Sequence, residues 1–103
     1  MEIINENNFE EKIKDGVVLV DFFATWCGPC RMQAAILEQC QKQLEELNVS
    51  VVKVDVDECE NLAHQFSIMS IPTMVLFANG EQKEKHVGLL MEEDLIDFIK
   101  KYL

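Results

Sequence analysis

The chain is short of positive charge, of long apolar runs and of any internal repeat. Nine Lys and Arg stand against nineteen Asp and Glu, a formal net charge of -10. A field of that sign repels phosphate backbones and anionic lipid headgroups, so neither nucleic acid nor a membrane surface is an expected partner. No apolar run approaches the roughly 20 residues needed to span a bilayer. The opening Met1-Glu2-Ile3-Ile4-Asn5 has neither the basic flank nor the apolar centre of an export signal, which sets the expectation of a soluble, cytoplasmic protein. A length of 103 residues leaves no room for a second domain, so 1–103 is expected to be one domain. Four cysteines in an exported chain of this size would suggest a disulfide framework. Here 49% of the residues are hydrophobic, a core that needs no staples, and the cysteines are therefore read one at a time.

Hydrophobic periodicity switches several times between strand-like and helix-like, with short breaks, the pattern of βα units around a central sheet. A short strand is expected near Ile3-Ile4, then a helix capped around Asn7 or Asn8, carrying Phe9 and Ile13 and stopping near Gly16. The run from Val17 to Phe23 is β-branched and continuously apolar apart from Asp21, which marks a buried parallel strand. A long helix should follow Cys27 and reach about Leu47, with Ile36, Leu37, Cys40, Leu44 and Leu47 along one side. Val49 to Val56 reads as a strand, Glu58 to Phe66 as a helix and Thr73 to Ala78 as a strand. Asn79-Gly80 is a strong hairpin signal. The partner strand, Glu81 to Val87, is rich in Lys and Glu, as suits an exposed edge. Leu90 to Leu103 closes the chain as an amphipathic helix.

The chemistry is concentrated in Trp26-Cys27-Gly28-Pro29-Cys30. Two cysteines spaced i, i+3 between a buried strand and a long helix put Cys27 at the helix N-terminus, where unpaired N–H groups and the dipole favour a thiolate. The thiolate is the attacking species in disulfide exchange, so Cys27 is the candidate nucleophile. Cys30, one turn inside and expected to be more covered, would resolve the mixed disulfide. Pro29 fits the first helical turn with its fixed φ and missing N–H, and Gly28 leaves the approach to Cys27 open. A zinc half-site would need a second ligand pair at short spacing, and only the isolated Cys40, Cys59, His64 and His86 remain. A purely structural thiol pair leaves the surrounding Trp, Gly and Pro unexplained.

The segment Val20-Asp21-Phe22-Phe23-Ala24-Thr25-Trp26-Cys27-Gly28-Pro29-Cys30-Arg31-Met32 resembles the thioredoxin family, and so do Lys53-Val54-Asp55-Val56-Asp57, Ile71-Pro72-Thr73, Phe77-Ala78-Asn79-Gly80 and Val87-Gly88. The resemblance runs the length of the chain. It implies an α/β thioredoxin fold, a central mixed sheet of about five strands flanked by four helices. It also implies protein-disulfide reduction through Cys27 and Cys30, an electron carrier in cell redox homeostasis. No bound cofactor or metal is implied, only NADPH acting indirectly through thioredoxin reductase. The partners would be that reductase and disulfide-containing proteins, and the Ile71-Pro72 bond would be cis. An extended substrate segment would lie against the Ile71 backbone, in a groove formed by Trp26, Gly28, Pro29, Ile71, Pro72 and Gly88. Met69, Val87 and Leu89 stand on the same rim, although Met69 and Leu89 could equally be packing residues.

Asp21 is alone in its apolar strand, and burial without a partner would raise its pKa. By resemblance it assists deprotonation of Cys30, with Lys53 as modulator. The alternative is a structural pairing of Asp21 with Lys53 on the neighbouring strand.

Some positions depart from the family. Phe23 stands where a Trp is common. Ala35 replaces a helix-kinking proline and predicts a straighter helix. Met91 occupies a frequent Ser cap position. Cys40 falls on the apolar face and is expected to be inert. Cys59 lies among Asp57, Glu58 and Glu60 and reads as a sluggish surface thiol. It resembles an extra regulatory cysteine, although Phe66 and Ser70 replace its usual companions. The protein is expected to be a monomer, with Cys59 joining any covalent dimer formed under oxidant. The acidic face reads as solvation, or as a surface that steers a basic reductase. A binding module with an incidental cysteine pair is the rival from another class, and an oxidase or isomerase the rival within redox chemistry.

Overall fold

The computed structural model describes Met1 to Leu103. Five strands, β1 (Glu2–Ile4), β2 (Val17–Phe23), β3 (Val49–Asp55), β4 (Thr73–Ala78) and β5 (Glu81–Val87), form one sheet in the order β1-β3-β2-β4-β5. β3 runs parallel to both β1 and β2, whereas β4 is antiparallel to β2 and β5. The sheet is therefore mixed, as expected. The helices are α1 (Phe9–Ile13), α2 (Gly28–Gln39), α3 (Gln41–Glu46), α4 (Glu60–Gln65) and α5 (Glu92–Lys100).

β2 is the central strand, and both of its faces are covered, which is why its sequence is apolar throughout rather than alternating. Successive side chains point to opposite faces. Leu19 joins Met74, Leu76 and residues of α2, α3 and α5 in one core layer. Val18, Val20 and Phe22 join Phe9, Val75 and Phe77 in the other. In that second layer Phe9, Phe22, Phe66 and Phe77 pack as tilted and edge-on pairs, with ring centroids 5.4 to 6.0 Å apart. Asp21, on the alternation of Leu19 and Phe23, faces the α2 layer.

The turn between β4 and β5 has Asn79 at φ 51° and Gly80 at φ 83°, both left-handed, which suits the right-handed twist of the hairpin. β5 is an exposed, charged edge. Met91 precedes α5 without a side-chain cap, as its side chain dictates.

The long helix is not continuous. It breaks at Cys40 (φ −91°, ψ −1°), which ends α2 and leads into α3. The Cys40 N–H still donates to Ile36 O at 3.1 Å and the Leu44 N–H to Cys40 O at 2.9 Å, so the two segments follow one another and bury a single apolar face. Ala35 sits inside α2 without disturbing it; the irregularity falls five residues later. Cys59 also departs from expectation. It is 2% exposed and packs in the layer of Ile4, Phe9 and Leu62. The acidic residues Glu58 and Glu60 are exposed, while Cys59 itself precedes α4 and turns inward.

Candidate redox site

β2 ends at Phe23, and the chain turns through Ala24, Thr25 and Trp26 before α2 begins at Gly28. Cys27 is the N-cap of α2, with extended backbone (φ −87°, ψ 112°), and Pro29 occupies the first turn. Cys27 and Cys30 are joined by a disulfide, Cα to Cα 5.2 Å. The Cys30 N–H donates to Cys27 Sγ at 3.1 Å, so an orphan donor of the helix start is aimed at that sulfur, a placement that favours negative charge there. The two cysteines are almost equally buried, at 4% and 3% exposure for Cys27 and Cys30 in this oxidised form. Both cysteines pack with Phe23 and Ala24 in one small buried cluster.

The segment before β4 comes up beside the pair. Ile71-Pro72 is cis, and Ile71 O lies 3.9 Å from Cys27 Sγ. Pro72 is buried, whereas Trp26 is 67% and Met69 92% exposed. Trp26 Nε1 donates to Asp57 Oδ2 at 2.8 Å, which holds the ring beside the disulfide although it is open to water. Trp26, Val56, Ile68, Met69, Ser70 and Ile71 line a shallow cavity of about 170 Å³ next to Cys27. On the far side the Gly88 N–H donates to Pro72 O at 2.8 Å, and Gly88 adopts φ +99°, a left-handed conformation that suits glycine. Trp26, Gly28 and Pro29 thus adjoin the two cysteines in sequence, Ile71 touches Cys27, and Gly88 is linked to that segment through Pro72.

Asp21 is 0% exposed, and neither carboxylate oxygen has a hydrogen-bond partner. Burial pushes its pKa from the usual 3.8 to about 6, and the neighbouring Lys53 pulls in the opposite direction. Lys53 stands opposite Asp21 in the β2–β3 register, yet its Nζ lies 4.4 Å above the Phe23 ring and makes no ion pair with the carboxylate. No group of three or more His, Cys, Asp or Glu is arranged to hold a metal ion.

The thioredoxin family model matches residues 1–101. The chain belongs to the thioredoxin family. The thioredoxin of Chlamydia trachomatis is 41% identical over 102 residues, covering 99% of this chain and 98% of that protein. That of Staphylococcus saprophyticus is 43% identical over 100 residues, 97% and 95% of the two chains. Among solved structures, Plasmodium falciparum thioredoxin superposes with a TM-score of 0.88 at 33% identity and Fasciola hepatica thioredoxin with 0.89 at 34%, each over the whole of both chains. With its Cys27–Cys30 disulfide at the start of α2, this thioredoxin-family chain is a protein-disulfide oxidoreductase working by dithiol–disulfide exchange.

The two remaining thiols of this thioredoxin-family chain are buried and free. Burial raises the pKa of Cys40, helped by Glu92. Burial likewise raises that of Cys59, with Glu6, Asp55 and Glu58 adding to it. The surface position expected for Cys59 is corrected accordingly: the thiol lies inside the layer of Ile4, Phe9 and Leu62, so the oxidised dimer expected through it loses its premise of an exposed sulfur. Gln33 escaped the sequence reading altogether. It is 0% exposed on α2, three residues after Cys30, and both its amide atoms bond the backbone of Leu90. A polar amide in phase with Cys30, Leu37 and Cys40 on an otherwise apolar face was the available signal.

Proposed function

We propose that this domain, acting as a monomer in the cytoplasm, carries electrons from a reductase to disulfides in protein substrates, with a defined role for each site residue. An extended segment of the target lies against the Ile71 backbone, in the groove of Trp26, Gly28, Pro29, Ile71, Pro72 and Gly88. The Cys27 thiolate attacks one sulfur of the target disulfide, and the other target sulfur leaves as a thiolate and takes a proton. Cys30 then loses its proton to Asp21 and attacks Cys27 Sγ, releasing the second target thiol. The target has gained two electrons, and Cys27–Cys30 is oxidised. Two electrons from NADPH, delivered through thioredoxin reductase, restore the dithiol. Lys53 modulates Asp21 by Coulomb attraction alone, since it makes no ion pair with it.

The observation that carries this reading is the disulfide at the α2 N-terminus, with the Ile71 carbonyl 3.9 Å from Cys27 Sγ on its open side. An insulin-reduction assay with NADPH and a thioredoxin reductase tests it. The wild type should consume NADPH and precipitate the insulin B chain, while the Cys27→Ser/Cys30→Ser double variant should do neither. Reduction undiminished in the double variant would leave a binding module as the correct description.

A further inference from the structure

Three side chains of polar or charged type are buried, Asp21, Thr73 and Gln33. Asp21 belongs to the redox chemistry, and the Thr73 hydroxyl donates locally to Ser70 O at 2.7 Å. Gln33 alone reaches across the molecule. Its Nε2 donates to Leu90 O at 3.0 Å, and its Oε1 accepts from the Leu90 N–H at 2.8 Å, spanning 57 residues of sequence. Leu90 lies in the strap between β5 and α5, where the backbone has left one hydrogen-bond ladder and not yet joined the next. Its N–H and C=O are buried, and the Gln33 amide supplies one acceptor and one donor for them.

The strap is therefore tied at two points. Gly88 donates to Pro72 O, and Leu90 is clasped by Gln33, one turn beyond Cys30 on the same helix. Gly88 and Pro72 are on the groove side, and Cys30 and Gln33 on the redox-helix side. We infer that Gln33 is a positioning residue that fixes the Gly88–Leu90 strap against α2 and so sets the width of the groove for the extended substrate. This rests on the groove reading under Proposed function. An apolar side chain at position 33 would leave both Leu90 groups buried without partners. The strap would then shift to wet them, and a substrate would have to order the groove as it binds.

The test uses the full-length, pre-reduced protein mixed with a disulfide-bridged peptide, following the fluorescence of Trp26, the sole Trp. The limiting rate and the half-saturating peptide concentration are read separately, each as a ratio to wild type at the same pH, because Asp21 titrates on the same side of the sheet. The layer that holds Leu90 is otherwise built from apolar side chains such as Leu19, Leu37, Met74 and Leu95, together with the Cys40 thiol, whose pKa burial and then Glu92 raise, and with Tyr102 packed against it; these groups are common to every variant and cancel in the ratio. Gln33→Met should raise the half-saturating concentration about tenfold and move the limiting rate by no more than about twofold. Gln33→Glu supplies the same donor and acceptor while its carboxyl is protonated. At pH 5.5 it should match wild type within about twofold, and at pH 8 it should approach Gln33→Met. Wild-type half-saturation in Gln33→Met, or a Gln33→Glu variant as impaired at pH 5.5 as Gln33→Met, overturns the inference. Failure of the wild type itself to reduce the peptide would instead overturn the redox reading on which the inference stands.

Discussion

Replacing Asp21 by Asn should stabilise the oxidised protein at neutral pH and leave it unchanged in acid. The carboxyl is fully buried and unpartnered, and its pKa rises from 3.8 unfolded to about 6 folded. A group with a raised folded pKa binds more protons in the folded state, so its favourable contribution is intact below about pH 3.8 and is lost as the pH climbs through about 6. A rise of about two units at about 1.4 kcal/mol each amounts to about 3 kcal/mol lost by pH 8. Asn is neutral at every pH and has the shape of protonated Asp, so the variant should escape that loss. With m-values of about 1–3 kcal/mol/M for a small protein, the urea midpoint of Asp21→Asn should exceed wild type by about 1–3 M at pH 8 and match it near pH 4. The oxidised form suits the measurement because neither Cys27 nor Cys30 titrates in it. The shifted thiols Cys40 and Cys59 stay above their usual 9.0, outside the window. Equal midpoints at pH 8, or a variant destabilised alike at every pH, would refute the reasoning and make Asp21 a partner of Lys53 with a compensated charge.

The same variant should slow resolution of a mixed disulfide by about 10²-fold where proton transfer limits that step; decay at the wild-type rate removes Asp21 from the proton path. Cys30→Ser should leave Cys27 able to attack but unresolved, so mixed disulfides accumulate and are seen by mass spectrometry; trapping by Cys27→Ser instead would reverse the two roles. Cys40 and Cys59, both buried, should react with a thiol reagent only as the protein unfolds in urea, and fast labelling of either in the native protein would contradict the packing around it. Met91→Ser should supply the missing N-cap of α5 and raise stability by about 1 kcal/mol in urea unfolding, whereas an unchanged midpoint would mean that water already caps that end.

Much of the fold was legible because each element carries its own signal. The apolar run of β2, the Asn79-Gly80 turn and the charged edge of β5 all formed as local chemistry dictates. Cys27, Pro29 and Cys30 announced a redox helix start through their spacing between a buried strand and a long helix, and Asp21 stood out by its isolation. The misreadings concern what spacing does not encode. Charged neighbours suggested that Cys59 was exposed, but the N-terminus of α4 turns one side chain inward between two that face water. Helical periodicity cannot register the break at Cys40, because α2 and α3 keep their apolar residues in one layer across it. Gln33 was missed because its partner, Leu90, is 57 residues away.

A redox equilibrium titration of the oxidised protein in buffers of graded dithiol-to-disulfide ratio, read by mass spectrometry after alkylation, bears most directly on the exchange chemistry. A single reversible transition should appear, confined to Cys27 and Cys30, with the two-electron slope of about 30 mV per tenfold change, while Cys40 and Cys59 remain thiols throughout. A Cys27–Cys30 pair that stays in one state across the whole range, or a transition that involves Cys40 or Cys59, would contradict it.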